Sequence, residues 1–203
     1  MRLFHSETSP YVRKVMVLLH ETGLADQVEL VPGSGFPTAP NEATRAINPL
    51  GKVPALERDD GPAIYDSRVI CRYLDHLTGA GLYPEPPRLW DTLTLEATAD
   101  GILDAALLMV YEGRLRPPEI QWPTWVEAQW EKIEKALHAL ESRWISHLQG
   151  RMDMGQIATA CALGYLDFRH GARGWRGIAP GVGAWYDEFA KRPSMAVSAS
   201  PPA

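Results

Sequence analysis

The sequence predicts a small mixed α/β domain with the element order β-α-β-α-β-β-α, followed by an all-α helical bundle domain. Three observations support this. Strand-like runs occur only in the first 78 residues. The Gly/Pro-rich stretch "TGAGLYPEPPR" then breaks the pattern, as a connector does. Beyond it, apolar residues recur at helical spacing almost to the end. With 203 residues and 45% apolar content, the chain can bury one or two cores. The expected division is residues 1–78, a connector at 79–87, and a helical domain at 88–203.

The elements follow in order. "MRLFH" is a strand candidate. "PYVRKVMVLLHETG" reads as a helix, with Val12, Val15, Met16 and Leu19 on one face and Gly23 as its stop. "VELVP" is a second strand, and "EATRAIN" a short helical turn. "KVPALER" and "AIYD" read as paired strands around an Asp-Gly turn signal. "SRVICRYLDHLTG" closes the domain as a helix, with Val69, Ile70, Tyr73, Leu74 and Leu77 expected on its buried face. In the second domain, "RLWDTLTLEATADGILDAALLMVYEGRL" predicts one long helix, with a bend near Gly101 expected. The prolines of "RPPEIQWPT" end it. "WVEAQWEKIEKALHALESRWISHL" predicts a second, with a stripe of Trp130, Ile133, Leu137, Leu140 and Trp144. "GQIATACALGYLDFRH" is apolar nearly all round, as a central buried helix would be. "GVGAWYDEFAKRP" reads as a last amphipathic helix, and "SMAVSASPPA" as a loose tail. The seven tryptophans read mostly as core, with those of "QWPTW" candidates to line a groove.

Composition excludes several classes. A net charge of −5 disfavours nonspecific nucleic-acid binding, which needs basic surface to displace counterions. Two cysteines, Cys71 and Cys161, without CxxC spacing do not make a disulfide scaffold. No stretch reaches the roughly 18–20 apolar residues that span a bilayer, and the opening "MRLFHSETSP" carries no long apolar segment. The expectation is a cytoplasmic protein without nucleic-acid or membrane partners. The six histidines form no short ligand pattern, so no metal site is expected.

Four motifs carry the chemistry. In "NPLGKVPAL", Pro54 stands in a strand where it cannot donate to a ladder. An edge strand is one reading and a cis Val53–Pro54 peptide the other. In "YDSRVICRYLD", Asp66 and Ser67 open a helix, whose N-terminus both welcomes a cap and attracts a carboxylate. Ser9-Pro10 is a common helix start, with Ser as cap and Pro in the first turn. Asp153 and Gln156 stand at capping-box spacing and read as structural.

In length, domain order and these motifs, the chain resembles the glutathione S-transferase family over essentially its whole length. The resemblance implies a thioredoxin-like first domain with cis Pro54. It implies that Val53 pairs its backbone with the cysteinyl unit of glutathione, a strand addition in miniature. Asp66 and Ser67 would hold the γ-glutamyl end, and Lys52 would face the glycyl carboxylate. Family members carry a cysteine or a serine where Ser9 stands; a serine cannot form mixed disulfides but can donate to a thiolate. Lowering a thiol pKa of about 8.5 by ~2 units needs about 2.7 kcal/mol. A hydrogen bond to a charged group contributes about 1.5–3 kcal/mol and a helix N-terminus roughly 0.3–1 kcal/mol. Thr8 is the alternative hydroxyl, and Ser6 lies nearby. Many members carry Ser or Thr followed by Asp where this chain has Asp153 and Gln156.

The implied function is a transferase that activates glutathione, its cosubstrate, against a small hydrophobic electrophile, without a metal. The electrophile would sit between the domains, with Leu107, Val110 and Tyr111 as candidate walls. Alternatives of the same family are a non-catalytic ligand-binding or regulatory protein and a glutathione-dependent isomerase, peroxidase or dehalogenase. The family usually forms homodimers, and Asp100 and Asp104 on the first long helix suggest polar contacts there.

Overall fold

The computed structural model describes residues 1–33 and 35–200. The chain divides into two compact units, one of Met1–Tyr83 with the segment from Pro193 on, the other of Pro84–Arg192.

The first unit holds a four-stranded sheet in the order β2-β1-β3-β4, built from β1 (Arg2–His5), β2 (Glu29–Pro32), β3 (Ala55–Arg58) and β4 (Gly61–Ile64). β1 runs parallel to β2, in register Leu3 with Leu30 and Phe4 with Val31. β3 runs antiparallel to β1, with Leu3 opposite Leu56 and Phe4 opposite Ala55. β4 folds back on β3 through the Asp-Gly turn. The short α2 (Glu42–Ile47) lies against β3, and α1 (Pro10–Glu21) packs on α3 (Ser67–Thr78). Leu3, Val15, Leu18, Leu56, Ile70 and Leu74 form the core. The sequence order β-α-β-α-β-β-α is the order found.

Three features of this unit differ from expectation. On α3 the buried face is Ser67, Ile70, Cys71, Leu74 and Asp75, while Val69 and Leu77 are exposed. The apolar residues split over two faces, and small or satisfied polar residues complete the inner one. Asp75 is buried because its carboxylate accepts from the amides of Leu82 (2.7 Å) and Tyr83 (3.1 Å), which ties the start of the connector to α3. The expected loose tail contains α9 (Pro193–Val197), packed on α1. Met195 is buried there, Arg13 donates to its carbonyl, and Ser194 donates to Glu21. Among the described residues, those from Pro193 to Ser200 therefore group with the first unit, whereas the expectation ran the helical domain on through them; residues 201–203 of that expectation lie outside the described residues.

The second unit is helical throughout. α4 (Arg88–Leu115) runs uninterrupted through Gly101 and packs against α5 (Pro123–Ala139) and α7 (Met154–His170). A 3-10 turn at Pro118–Ile120 follows α4. The second long helix is not uniform. α5 passes through a π turn at Leu140–Trp144 into α6 (Ile145–Leu148). The extra residue of a π turn shifts the helical phase, and Trp144 is left half-buried beside the fully buried Leu140. α7 is buried over Met154–Leu166 and α8 (Pro180–Phe189) closes the unit. α7 approaches α4 closely. A Cβ added at Gly155 would stand 2.8 Å from the Leu95 Cβ and 3.0 Å from the Thr92 carbonyl. Of the tryptophans only Trp130 and Trp175 are buried, while Trp90 and Trp122 are exposed. Asp100 is buried and Asp104 is exposed. No helix among the described residues is long and apolar enough to cross a membrane.

Candidate functional site

Strand register brings three motifs to one end of the sheet. β1 and β4 both end there, and β3, antiparallel to each, begins there. Residues 6–9 leave β1, Lys52–Pro54 lead into β3 opposite the end of β1, and Tyr65–Ser67 leave β4. The helices α1 and α3 thus both start at this end, and their free N–H groups give it positive potential.

Ser9 is the N-cap of α1, with Pro10 in the first turn. Its Oγ accepts from the Val12 amide at 3.3 Å. A hydroxyl has one donor and two acceptor positions, so this cap bond leaves the O–H free to donate elsewhere. Thr8 is exposed, with its hydroxyl 3.4 Å from that of Ser6. Ser9 is half-buried, and only it of the two belongs to the helix start.

The Val53–Pro54 peptide is cis, as are Tyr65–Asp66 and Pro86–Pro87. Val53 is half-buried and precedes the first residue pair of β3 with β1, so its N–H and C=O fall outside the sheet ladder. Lys52 is exposed. Its turn is held by Asn48, whose amide donates to the Lys52 carbonyl at 2.8 Å and accepts from the Leu50 N–H at 3.0 Å. Asn48 is buried for this task, and sequence reading assigned it none. An Asn before a proline is a turn-forming signal that would have found it. Asp66 caps α3, accepting from the Arg68 amide at 3.0 Å, while its second oxygen lies 3.4 Å from the Arg68 guanidinium. Ser67 is the buried first residue of that helix. The site residues named from sequence in the first unit therefore share one end of the sheet.

The chain matches known proteins along its whole length. Residues 8–77 match the glutathione S-transferase N-terminal domain family and residues 123–188 the C-terminal domain family. A GST-like protein of Escherichia coli K12, YibF, is 34% identical over the full length of both chains. The chain belongs to the glutathione S-transferase family. A family member from Pseudomonas fluorescens Pf-5, solved with bound glutathione, is 50% identical, with 98% of each chain covered and a TM-score of 0.96. A glutathione S-transferase from Methylobacillus flagellatus KT, solved with glutathione bound, is 36% identical over 100% of this chain and 99% of that one, with a TM-score of 0.85.

The helical unit of this transferase-family chain holds the remaining candidates. Leu107, Val110 and Tyr111 are half-buried on α4. Burial pushes the Tyr111 phenol above its ordinary pKa. Two clefts open in this unit, and none of these three residues lines either. One, of about 700 Å³, runs past Met152, Trp185 and Phe189. The other, of about 520 Å³, lies along Glu112, Ile120, Trp122 and Trp125, and so uses the tryptophans of "QWPTW". Asp153 and Gln156 form the expected capping box of α7.

Proposed function

We propose that the protein is a glutathione transferase in which Ser9 stabilises the glutathione thiolate for attack on an electrophilic carbon. The carrying observation is the meeting of Ser9, Val53–Pro54 and Asp66–Ser67 at one end of the sheet. Relatives solved with glutathione support the choice of thiol. In this reading the Val53 backbone pairs with the cysteinyl unit. The α3 start and Ser67 take the γ-glutamyl carboxylate, Asp66 its ammonium, and Lys52 the glycyl carboxylate. Ser9 stays protonated, keeps its bond from Val12 and donates to sulfur. The thiol proton goes to solvent, so no covalent enzyme intermediate is needed. Leu107, Val110 and Tyr111 supply an apolar wall for the electrophile. We place the reaction in the cytoplasm, where reduced glutathione is abundant, and the working protein as a homodimer.

The test is spectroscopic titration of the bound glutathione thiol in wild type, Ser9→Ala and Thr8→Ala. Losing one hydrogen bond to a charged sulfur raises its pKa by about 1–2 units. That rise is expected in Ser9→Ala and not in Thr8→Ala. An unchanged pKa in Ser9→Ala removes Ser9 from the role, and a rise in Thr8→Ala alone transfers it. Glutathione binding without turnover of any electrophile would leave a binding protein. A monomer mass in light scattering at micromolar protein would defeat the dimer.

A further inference from the structure

The Val53 backbone lies at the end of the sheet where the motifs meet, yet the sheet does not hold it. The β3 ladder with β1 starts at Ala55, opposite Phe4. The N–H and C=O of Val53 have no hydrogen-bond partner among the described residues. Val53 is half-buried, and a backbone group taken out of water without a partner is unfavourable. Free N–H and C=O groups just before a strand are also the means by which a peptide is taken up as an added strand.

Something other than the ladder must fix the direction of this N–H. It belongs to the same peptide group as the Lys52 carbonyl. That peptide is trans, so the group is planar and its N–H points away from its C=O. Holding the carbonyl therefore aims the N–H. Asn48 Nδ2 donates to the Lys52 carbonyl at 2.8 Å. Asn48 is itself buried and tied on every side. Its Oδ1 accepts from the Leu50 N–H at 3.0 Å, its own N–H donates to the Thr44 carbonyl at 2.8 Å, and its carbonyl accepts from the Gly51 N–H at 2.8 Å. These bonds close the chain from α2 to Lys52. The Val53 side chain is seated as well. A Cβ added at Gly33 would stand 3.2 Å from Val53 Cγ1 and 2.7 Å from Thr44 Oγ1, which donates to the Gly33 carbonyl at 2.6 Å. A carbonyl that accepts a hydrogen bond also polarises its peptide group and makes the N–H at the other end a better donor.

We propose that Asn48 is a positioning residue for glutathione: by holding the Lys52 carbonyl, it aims and polarises the Val53 N–H that donates to the carbonyl of the cysteinyl residue. The assignment rests on the glutathione reading above. Asn48 acts through the Lys52–Val53 peptide and not on the sulfur. Its effect falls on affinity for the peptide part of the ligand, whatever the sulfur carries. That separates it from Ser9, whose role is to stabilise the charge on the sulfur.

The test is calorimetric binding of S-methylglutathione, which keeps the peptide and has no ionisable thiol. Asn48→Asp keeps an acceptor for the Leu50 N–H and removes the donor to Lys52, while Asn48→Ala removes both. The net worth of one neutral hydrogen bond corresponds to a Kd raised about two- to tenfold, which is expected in both variants. Met195→Ala, a destabilising change in the same unit away from the site, is expected to bind as wild type does. An unchanged Kd in either Asn48 variant, or an equal loss in Met195→Ala, overturns the inference. If wild type itself does not bind S-methylglutathione, the glutathione reading fails and the inference with it. Thiol titration separates Asn48 from Ser9. The pKa of bound glutathione is expected to stay in place in Asn48→Ala and to rise in Ser9→Ala, and an equal rise in both overturns the assignment of Asn48 to the peptide. Should neither Asn48 variant fold, amide resonances of the 15N-labelled wild type decide. Coupling is reciprocal, so S-methylglutathione is expected to move the protons of both the Val53 N–H and Asn48 Nδ2 to lower field, and a stationary Asn48 Nδ2 resonance overturns the inference.

Discussion

Asp153 concentrates more interactions than any motif in the sequence implied. One oxygen accepts from the amides of Gly155 and Gln156, which caps α7. The other receives Arg88, the Thr92 hydroxyl at 3.0 Å and His147 at 2.7 Å. The cap was legible because its partners lie within three residues. The rest was not, because Arg88 and Thr92 are more than sixty positions away. Asp153→Ala removes the α7 cap and the buried acceptor of Thr92 and His147, while Arg88 is partly exposed, and is expected to lower stability by about 1–3 kcal/mol in urea unfolding. Asp153→Asn keeps an acceptor for the cap and should cost less. His170 gives a pH-dependent counterpart. Burial depresses its pKa below 6.5, aided by repulsion from Arg173 and Arg169 and opposed by its bond to the Ala106 carbonyl. The folded protein therefore holds a neutral imidazole, and the unfolded chain takes up the proton first. Stability from this group is complete above about pH 6.5 and is lost as pH falls through the lower, folded value. Urea unfolding from pH 8 to 5 should show that loss in wild type, and less of it in His170→Gln.

At the scale of elements, helices and strands were legible wherever period alone decides burial. α7, apolar on every side, is buried as its composition implied. α3 was misread because a polar residue there is buried through local satisfaction, which hydropathy does not register. Asp75 is inside because it holds two connector amides, and Val69 is outside although apolar. The π turn escaped for a related reason: its extra residue is a backbone event without a composition signal. The α4–α7 contact carries its own prediction. Gly155 allows the close approach, so Gly155→Ala forces a shift against Leu95 and the Thr92 backbone. Overpacking of this kind costs about 1–3 kcal/mol, read as a lower midpoint in chemical denaturation with an unchanged slope.

For the whole molecule, the order of a mixed domain before a helical one could be read from where strand patterns stop. The candidate site in the first unit was legible by residue type and order. Its convergence was not, because it depends on β3 reversing against β1 and β4 reversing against β3. The C-terminal segment was read as loose because it is short and rich in Ser, Ala and Pro. One buried methionine and two side-chain bonds to α1 are enough to order it. Met195→Ala is expected to lower stability by about 2–5 kcal/mol, measured by thermal unfolding at fixed protein concentration.

That return of α9 to α1 has a bearing on synthesis. The first unit takes one helix from the far end of the chain. At about 5–20 residues per second, translation of the stretch from Pro84 to Arg192 takes roughly 5–20 s. Throughout that interval the contacts of Arg13 with Met195 and of Glu21 with Ser194 cannot form, because those residues are still encoded only in messenger RNA. The candidate-site end of the sheet is made early, but the unit that carries it is finished only once Pro193–Val197 has been made.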